Sequence, residues 1–455
     1  MNITTDDHNP QPHLQEIFIS SFVSGRVKIE YHSRLNYTEV IELNATNNFQ
    51  YVKRIMPLDL ASPLNEIHNT AIVISSEMDI SVQANKAHSG SAGGYLALPI
   101  TQQSVSFFLA SYTRGFQTPT FSIVSPFDDT RISISYGNSS VSLLNLTMQT
   151  NDVYQVGSSD TMVDFDYTGV YVASSKPIAV FSGHSCANVP YYHNYCDYIV
   201  EQVPPVGQWG TSFIMASFYG RPWAVGYWIR VIAQTDTNVT YTYQSFDANN
   251  NPSTWSIFRT VTLLRGQWDE ADLVSITKGN AIVVMVNCTF DCLVMQYGPG
   301  IGSSHETRFP DPFMVTVPAL NHYPQNVRFS TSRTYQVDEL DYECTNGVTI
   351  VAKTDDINMS KIYLDGISLT SIGKFMHAWI HAHLHTFIPC ISTYMYMHIN
   401  TYLHASCANV LFLLLISLGL HVANGIRTIP PDIPFPPGHF PRMNRSIQAE
   451  IIVIN

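Results

Sequence analysis

One alternating strand pattern returns four times along this chain and limits the folds open to it. Apolar residues at every second position are the signal of a strand with one buried face. The copies start 105, 107 and 109 residues apart, a spacing too regular for chance. They are GRVKIEY at Val27, TRISISY at Ile132, NVTYTY at Val239 and GVTIVA at Val348. The sequence therefore predicts a tandem all-β repeat.

Two further elements keep the same period. A strand–turn–strand pattern occurs at 74–82, 172–180 and 286–294, and an apolar run reaching a proline ends near Pro99, Pro204 and Pro318. Each unit then holds seven or eight short strands in about 105 residues, which is typical of a β-sandwich. The repeat length alone leaves open a β-propeller in which each unit supplies two blades.

The repeats predict the domain organisation. Residues 1–13 are polar and expected to be disordered, 14–371 form the repeated β domain, and 372–455 are an atypical tail. We place the units at 14–93, 94–187, 188–306 and, incomplete, 307–371.

Composition excludes one class of partner and favours an extracellular setting. A formal charge of −12, without a run of Lys or Arg, argues against nucleic-acid binding. The seven cysteines contain no CxxC motif, so we expect neither a metal site nor a cofactor. Nine Asn-x-Ser/Thr sequons occur, and the glycosylation candidates among them are Asn36, Asn44, Asn138, Asn145, Asn238 and Asn358.

The N-terminus does not add to the case for secretion. Residues 1–15 contain no apolar stretch of the kind that a signal peptide requires. Either the leader belongs to an upstream segment, which we favour, or secretion is the wrong interpretation.

Cysteine spacing predicts a staple in the third unit. Cys288 and Cys292 stand where the second unit has Ser174 and Ile178, on either side of the expected turn. A disulfide between them would close a hairpin and stabilise it. Cys344 is left without a partner in the β region.

The middle of the chain carries its most distinctive sequence. The segments are SSKPIAVFSGH at 174–184, CANVP at 186–190, CDYIVEQVPP at 196–205 and WGTSF at 209–213. They resemble the N-terminal domain of the IgG-Fc-binding protein family, with further similarity in YLALP, DPFMVTVP and LDG between about 14 and 371. The resemblance implies an extracellular binding or matrix domain without catalytic residues. It does not carry immunoglobulin Fc over as a ligand.

The loop between Cys186 and Cys196 is the candidate binding site. We interpret it as closed by a disulfide, and loops on rigid β scaffolds commonly carry function. Its candidate contact residues are His184, Asn188, Tyr191, Tyr192, His193 and Asp197. A metal or acid–base site that adds Glu201 is the alternative use of these side chains. The tyrosines either stack on a ligand or pack within the sandwich.

These observations favour an extracellular binding or adhesion module of a secreted mucus- or matrix-type protein, not an enzyme. Its partner would be an unidentified protein or glycan. A purely structural matrix component is the alternative, and a metal-dependent hydrolase using His184 and Asp197 is the remote one. The apolar run at 410–420 is too short for a predicted membrane span.

The tail yields a testable prediction. From about residue 373 the chain becomes rich in His, Tyr and Met, with His377, His381, His383 and His385 closely spaced. CA/TA-rich simple repeats encode such a composition, so we expect the tail to be read-through of non-coding sequence. Sequencing the transcript across Ile372 checks this, and one continuous message into the His-rich segment would contradict it.

Overall fold

The computed structural model is an all-β protein with sandwich-like units, as predicted. It describes residues 14–31, 36–55, 63–88, 91–113, 119–137, 139, 141–157, 165–190, 196–216, 227–245, 253–273, 282–300 and 312–323, and beyond these the backbone of further strands. Helix in these segments consists of 3-10 turns at Ala45–Asn47, Ile100–Gln102, Val206–Gln208 and Leu320–His322.

Three units follow one another, and each is defined by its strand pairing. The first contains β1 (Leu14–Ser21), β2 (Gly25–Tyr31), β3 (Tyr37–Leu43), β4 (Gln50–Ile55), β5 (Ile67–Asn69), β6 (Ile72–Ser76), β7 (Ile80–His88) and β8 (Ser91–Leu96). The second contains β9 (Ser104–Phe108), β10 (Pro119–Val124), β11 (Thr130–Tyr136), β12 (Ser142–Met148), β13 (Asp152–Val156), β14 (Val170–Ala187) and β15 (Asp197–Gln202). The third contains β16 (Gly210–Ala216), β17 (Trp228–Ala233), β18 (Thr237–Ser245), β19 (Ser256–Leu263), β20 (Trp268–Asp272), β21 (Ile282–Gly298) and β22 (Phe313–Val317).

Beyond the third unit only strand backbones are described. They are β23 (Thr334–Val337), β24 (Leu340–Lys353), β25 (Tyr363–Leu364), β26 (Ile367–Ser368), β27 (Thr393–Leu403), β28 (Val410–Leu418) and β29 (Ile447–Ile454). β24 pairs with β23 and β27 antiparallel and with β29 parallel. Cys344 lies on β24, whereas the four closely spaced histidines of the tail lie outside the described residues.

All four predicted repeat strands are strands, namely β2, β11, β18 and β24. β2, β11 and β18 occupy the same place, each between an edge strand and the start of the unit's long strand. We call the sheet around this strand the repeat sheet. Its inward residues fill the core, although Tyr136, in phase with them, is exposed.

The long strand joins the two sheets of a unit. The first part of β14 pairs with β11 and β9 in the repeat sheet, and its second part pairs with β10 and β15 in a sheet that we call the junction sheet. The register shifts between Ala173 and Ile178 as the strand passes from one sheet to the other. Strands that switch sheets through bulges belong to sandwiches, so the pairing favours a sandwich over paired propeller blades.

The element predicted as strand–turn–strand is therefore a break or a bulge, not a hairpin. The first unit interrupts it at 77–79 between β6 and β7, and the third unit carries it within the continuous β21. By hydrogen bonding β15 completes the second unit and β22 the third, beyond the predicted unit limits at 187 and 306.

The junction sheets are buried on both faces. Every residue of β17 is buried, and alternate residues serve different cores. Trp228 and Ile232 join the core of the second unit, whereas Ile229 and Val231 join that of the third. The units are therefore packed through their junction sheets into one continuous body.

Arg230 is the charged residue in this doubly buried strand. Its Nη1 lies 2.7 Å from Asp166 Oδ2 and donates to the carbonyl oxygen of Ser111, while Nε lies 2.7 Å from Glu270 Oε2. The guanidinium also lies 4.5 Å from the centre of the Trp268 ring. Burial opposes the charge, but the two carboxylates raise the Arg230 pKa further above its usual range. This pairing bridges the second and third units.

A close backbone approach lies beside this cluster. Gly169 has φ +82° and Gly266 has φ +73°, values that side chains rarely adopt. A Cβ on Gly169 would lie 2.5 Å from the Gly266 carbonyl oxygen, so the two turns meet only because both are glycine. Arg265 closes the contact by donating to the carbonyl of Gly137.

Arg230→Met tests the bridge between units. The substitution leaves the Asp166 carboxylate in an apolar junction, so we expect the free energy of unfolding to fall by about 3–5 kcal/mol. Urea denaturation followed by tryptophan fluorescence measures it. The matched control is Arg26→Met, which breaks an exposed pair with Glu77 and should cost under about 1 kcal/mol. Equal losses in the two variants would show that Arg230 does not bridge the units.

Candidate functional site

The predicted loop is closed by a disulfide between Cys186 and Cys196, with 4.9 Å between their Cα atoms. The pairing predicted from the sequence is confirmed. β14 leads into the loop and β15 leads out of it, with Ala187 paired to Asp197 at its base. The loop thus begins and ends on two neighbouring strands of a junction sheet.

Buried polar groups anchor the loop. The backbone N–H of Cys186 donates to His184 Nδ1 at 3.0 Å, and that of Tyr198 donates to Asp197 Oδ1 at 2.7 Å. His184 and Asp197 are fully buried. The N–H of Gly300 donates to the carbonyl of Val189 at 2.8 Å, which ties the loop to the third unit.

The structure divides the predicted contact residues into two groups. His184, Asn188 and Asp197 are buried and shape the base of the loop, where a ligand cannot reach them directly. Tyr191, Tyr192 and His193 lie outside the described residues. Among the described residues, no group of three or more His, Cys, Asp or Glu side chains is placed to hold a metal ion.

The cysteine pair of the third unit differs from its prediction. Cys288 and Cys292 are both buried free thiols on β21. Residues 289–291 bulge out between them, because Cys288 pairs with Val239 while Cys292 pairs with Ala233. A hydrogen bond with the Cys288 thiol and burial raise the Cys292 pKa. The hairpin disulfide was the wrong interpretation, since the strand continues through the bulge.

Glycosylation candidates cluster on the repeat sheets. Asn145 on β12 and Asn238 on β18 are exposed, and each side-chain oxygen accepts a hydrogen bond, from Ser142 and Thr262 respectively. Asn36 is exposed just before β3, and Asn44 is half-buried just after it, as the cap of a 3-10 turn. Asn138 and Asn358 lie outside the described residues.

A shallow groove of about 420 Å³ lies on the outer face of the second repeat sheet. Polar side chains line much of it, among them Arg131, Ser133, Asn145, Thr147 and Ser175. A glycan on Asn145 would occupy it, so we assign it no other ligand.

The sequence gave no sign of two buried ionisable groups near the loop. Lys86 on β7 has its ammonium 5.7 Å from the centre of the Tyr198 ring, and burial lowers the Lys86 pKa to about 8. Glu201 on β15 has its pKa raised well above the usual value by burial, against a hydrogen bond from the Thr316 backbone. Burial and the Glu201 charge raise the Tyr95 pKa to about 12.

Comparison with known proteins adds a family. Residues 93–397 match the family described as IgGFc binding protein, about two thirds of the chain. This match passes residue 371 into the His- and Tyr-rich segment. The human IgGFc-binding protein is 29% identical over 191 residues, covering 39% of this chain and 3% of that protein.

A solved structure of a tetra-tandem repeat from the extending region of a large adhesion protein aligns over 91% of this chain and 97% of its own. The alignment has 10% identity and a TM-score of 0.10, so it carries no argument about the fold. No helix among the described residues is long and apolar enough to cross a membrane.

Lys86→Met tests the buried lysine. The folded pKa of about 8 lies below the model value of 10.5, so at neutral pH folding forces a charge into an apolar site. Replacement should stabilise the protein at pH 7 by up to about 3 kcal/mol. The gain should shrink as pH rises from 8 to 10.5, because wild-type stability then recovers. Thermal unfolding across this range measures it.

Glu201→Gln is the control with the opposite pH direction. The raised carboxyl pKa means that wild-type stability is fully present below about pH 4.5 and is lost as pH rises through the folded pKa. The glutamine variant should therefore gain over wild type with rising pH. A Lys86→Met variant less stable than wild type at pH 7 would contradict the assignment.

Proposed function

Because this chain belongs to the IgGFc-binding protein family, we propose that it is an extracellular binding and adhesion module of a secreted, mucus- or matrix-type protein. It would recognise a protein or glycan through the loop between Cys186 and Cys196. The human relative is named for binding IgG Fc, and this chain corresponds to 3% of its length, so Fc enters only as one probe.

The disulfide-closed loop is the observation that carries the proposal. Both of its ends are fixed to buried strands, one by the hydrogen bond to His184 and the other by that to Asp197. A loop held in this way loses little conformational freedom when a ligand binds, which favours affinity. The aromatic residues between the two cysteines, Tyr191, Tyr192 and Tyr195, suit contact with a sugar ring or a protein surface.

The repeat sheets support an extracellular setting. Exposed sequons at Asn36, Asn145 and Asn238 lie where attached glycans would project into solvent without disturbing a core. Glycans there would cover the outer faces of the units and leave the loop, on a junction sheet, accessible.

A structural role in a matrix is the second candidate. The doubly buried junction sheets, typified by β17, make the units a stiff rod rather than a string of independent domains. In that case the repeats would space other modules, and the loop would bind nothing.

Binding arrays discriminate the two functions. The full chain, produced through a secretory pathway, is tested against protein and glycan arrays that include immunoglobulin Fc. We expect saturable binding that falls at least about tenfold in a Tyr191→Ala/Tyr192→Ala variant, because aromatic anchors carry most of such an interface. Circular dichroism verifies that this variant is folded.

The matched control is Phe290→Ala. Phe290 is also an exposed aromatic, on the β21 bulge of the third unit, and its loss should leave binding unchanged. Absence of any saturable ligand would favour the matrix role. A stoichiometric metal ion in the purified protein would favour the hydrolase instead.

A further inference from the structure

The first unit lacks a strand that the other two possess. β14 is flanked in its repeat sheet by β11 and β9, and β21 is flanked by β18 and β16. β6 takes the same position in the first unit and pairs with β2. Within the residues that the structure describes, the opposite edge of β6 carries no strand.

The registers make the comparison exact to the residue. Ile74 pairs with Ile29 of the repeat strand, as Val172 pairs with Ile134 and Val286 with Tyr241. On the other side, Val172 pairs with Phe107 of β9 and Val286 with Phe213 of β16. Ile74 is thus the position that a phenylalanine covers in both other units.

Burial follows the same distinction. Val172 and Val286 are fully buried, and so, almost completely, are the phenylalanines beside them. Ile72, Val73 and Ile74 of β6 are each only half-buried, although Ile72 and Ile74 pack against the core of the first unit. The open edge therefore leaves core-facing side chains partly in contact with solvent.

We propose that the β6 edge is a docking site for an extended strand of another polypeptide chain that carries the sequence pattern of β9. The strand would run antiparallel to β6, as β9 and β16 run to their long strands, and place a phenylalanine against Ile74. Backbone hydrogen bonds along the free edge supply affinity, and the phenylalanine site supplies specificity. This surface is separate from the loop between Cys186 and Cys196.

A peptide copying residues 103–111 of this chain tests the proposal. It is added in excess to the full chain, and hydrogen–deuterium exchange is followed by mass spectrometry. Exchange at 72–76 should slow by about tenfold or more, because pairing protects the free edge of β6. Exchange at 170–174, where β9 already pairs with β14, should not change.

Two peptide variants serve as controls and leave the protein unaltered. A Phe107→Asp peptide should give no protection, since it would direct a carboxylate at the core beside Ile74. A Phe108→Ser peptide should still protect, because Phe108 pairs with Tyr171 and faces away from the equivalent position. Unchanged exchange at 72–76 with saturating wild-type peptide, or equal protection by the Phe107→Asp peptide, would overturn the proposal.

Discussion

Burial of a charged strand on both faces is the constraint on which the rest of the structure depends. β17 gives alternate residues to two cores, and Arg230 within it has no route to bulk water. Its charge is tolerated because Asp166 reaches it from the second unit and Glu270 from the third. A buried ion needs such partners from every element around it. The turns that carry Asp166 and Gly169 are therefore fixed by the neighbour as much as by their own unit.

The long strand explains how one unit can serve two neighbours. Its first part belongs to the repeat sheet, whose outer face is exposed, and its second part belongs to the junction sheet, which is covered on both sides. The change of sheet requires a bulge, and each unit makes it differently: a break at 77–79, a register shift after Ala173, and the bulge at 289–291 between two cysteines.

The repeat could be predicted because alternation is a local signal. Val27, Ile132 and Val239 each start an inward-facing series, and all three are buried. Alternation cannot separate a hairpin from a bulged continuous strand, and for this reason Cys288 and Cys292 were joined wrongly. It also reads polar residues as solvent-facing, so the burial of His184 and Asp197 was not expected. Arg230 did leave a signal, as the lone charge in the apolar run WIRVIA.

The short strand β5 shows that chain order and structural division need not agree. Ile67–Asn69 lies before the long strand position of the first unit, yet it pairs with β13 of the second. Asn65 strengthens the exchange by donating to the carbonyl of Gly157. A cut between β8 and β9 would release two fragments, one with a stray strand and one with the bare outer edge of β13. Fragments intended to behave as single units must therefore be divided by pairing, with residues 65–69 kept beside the second unit.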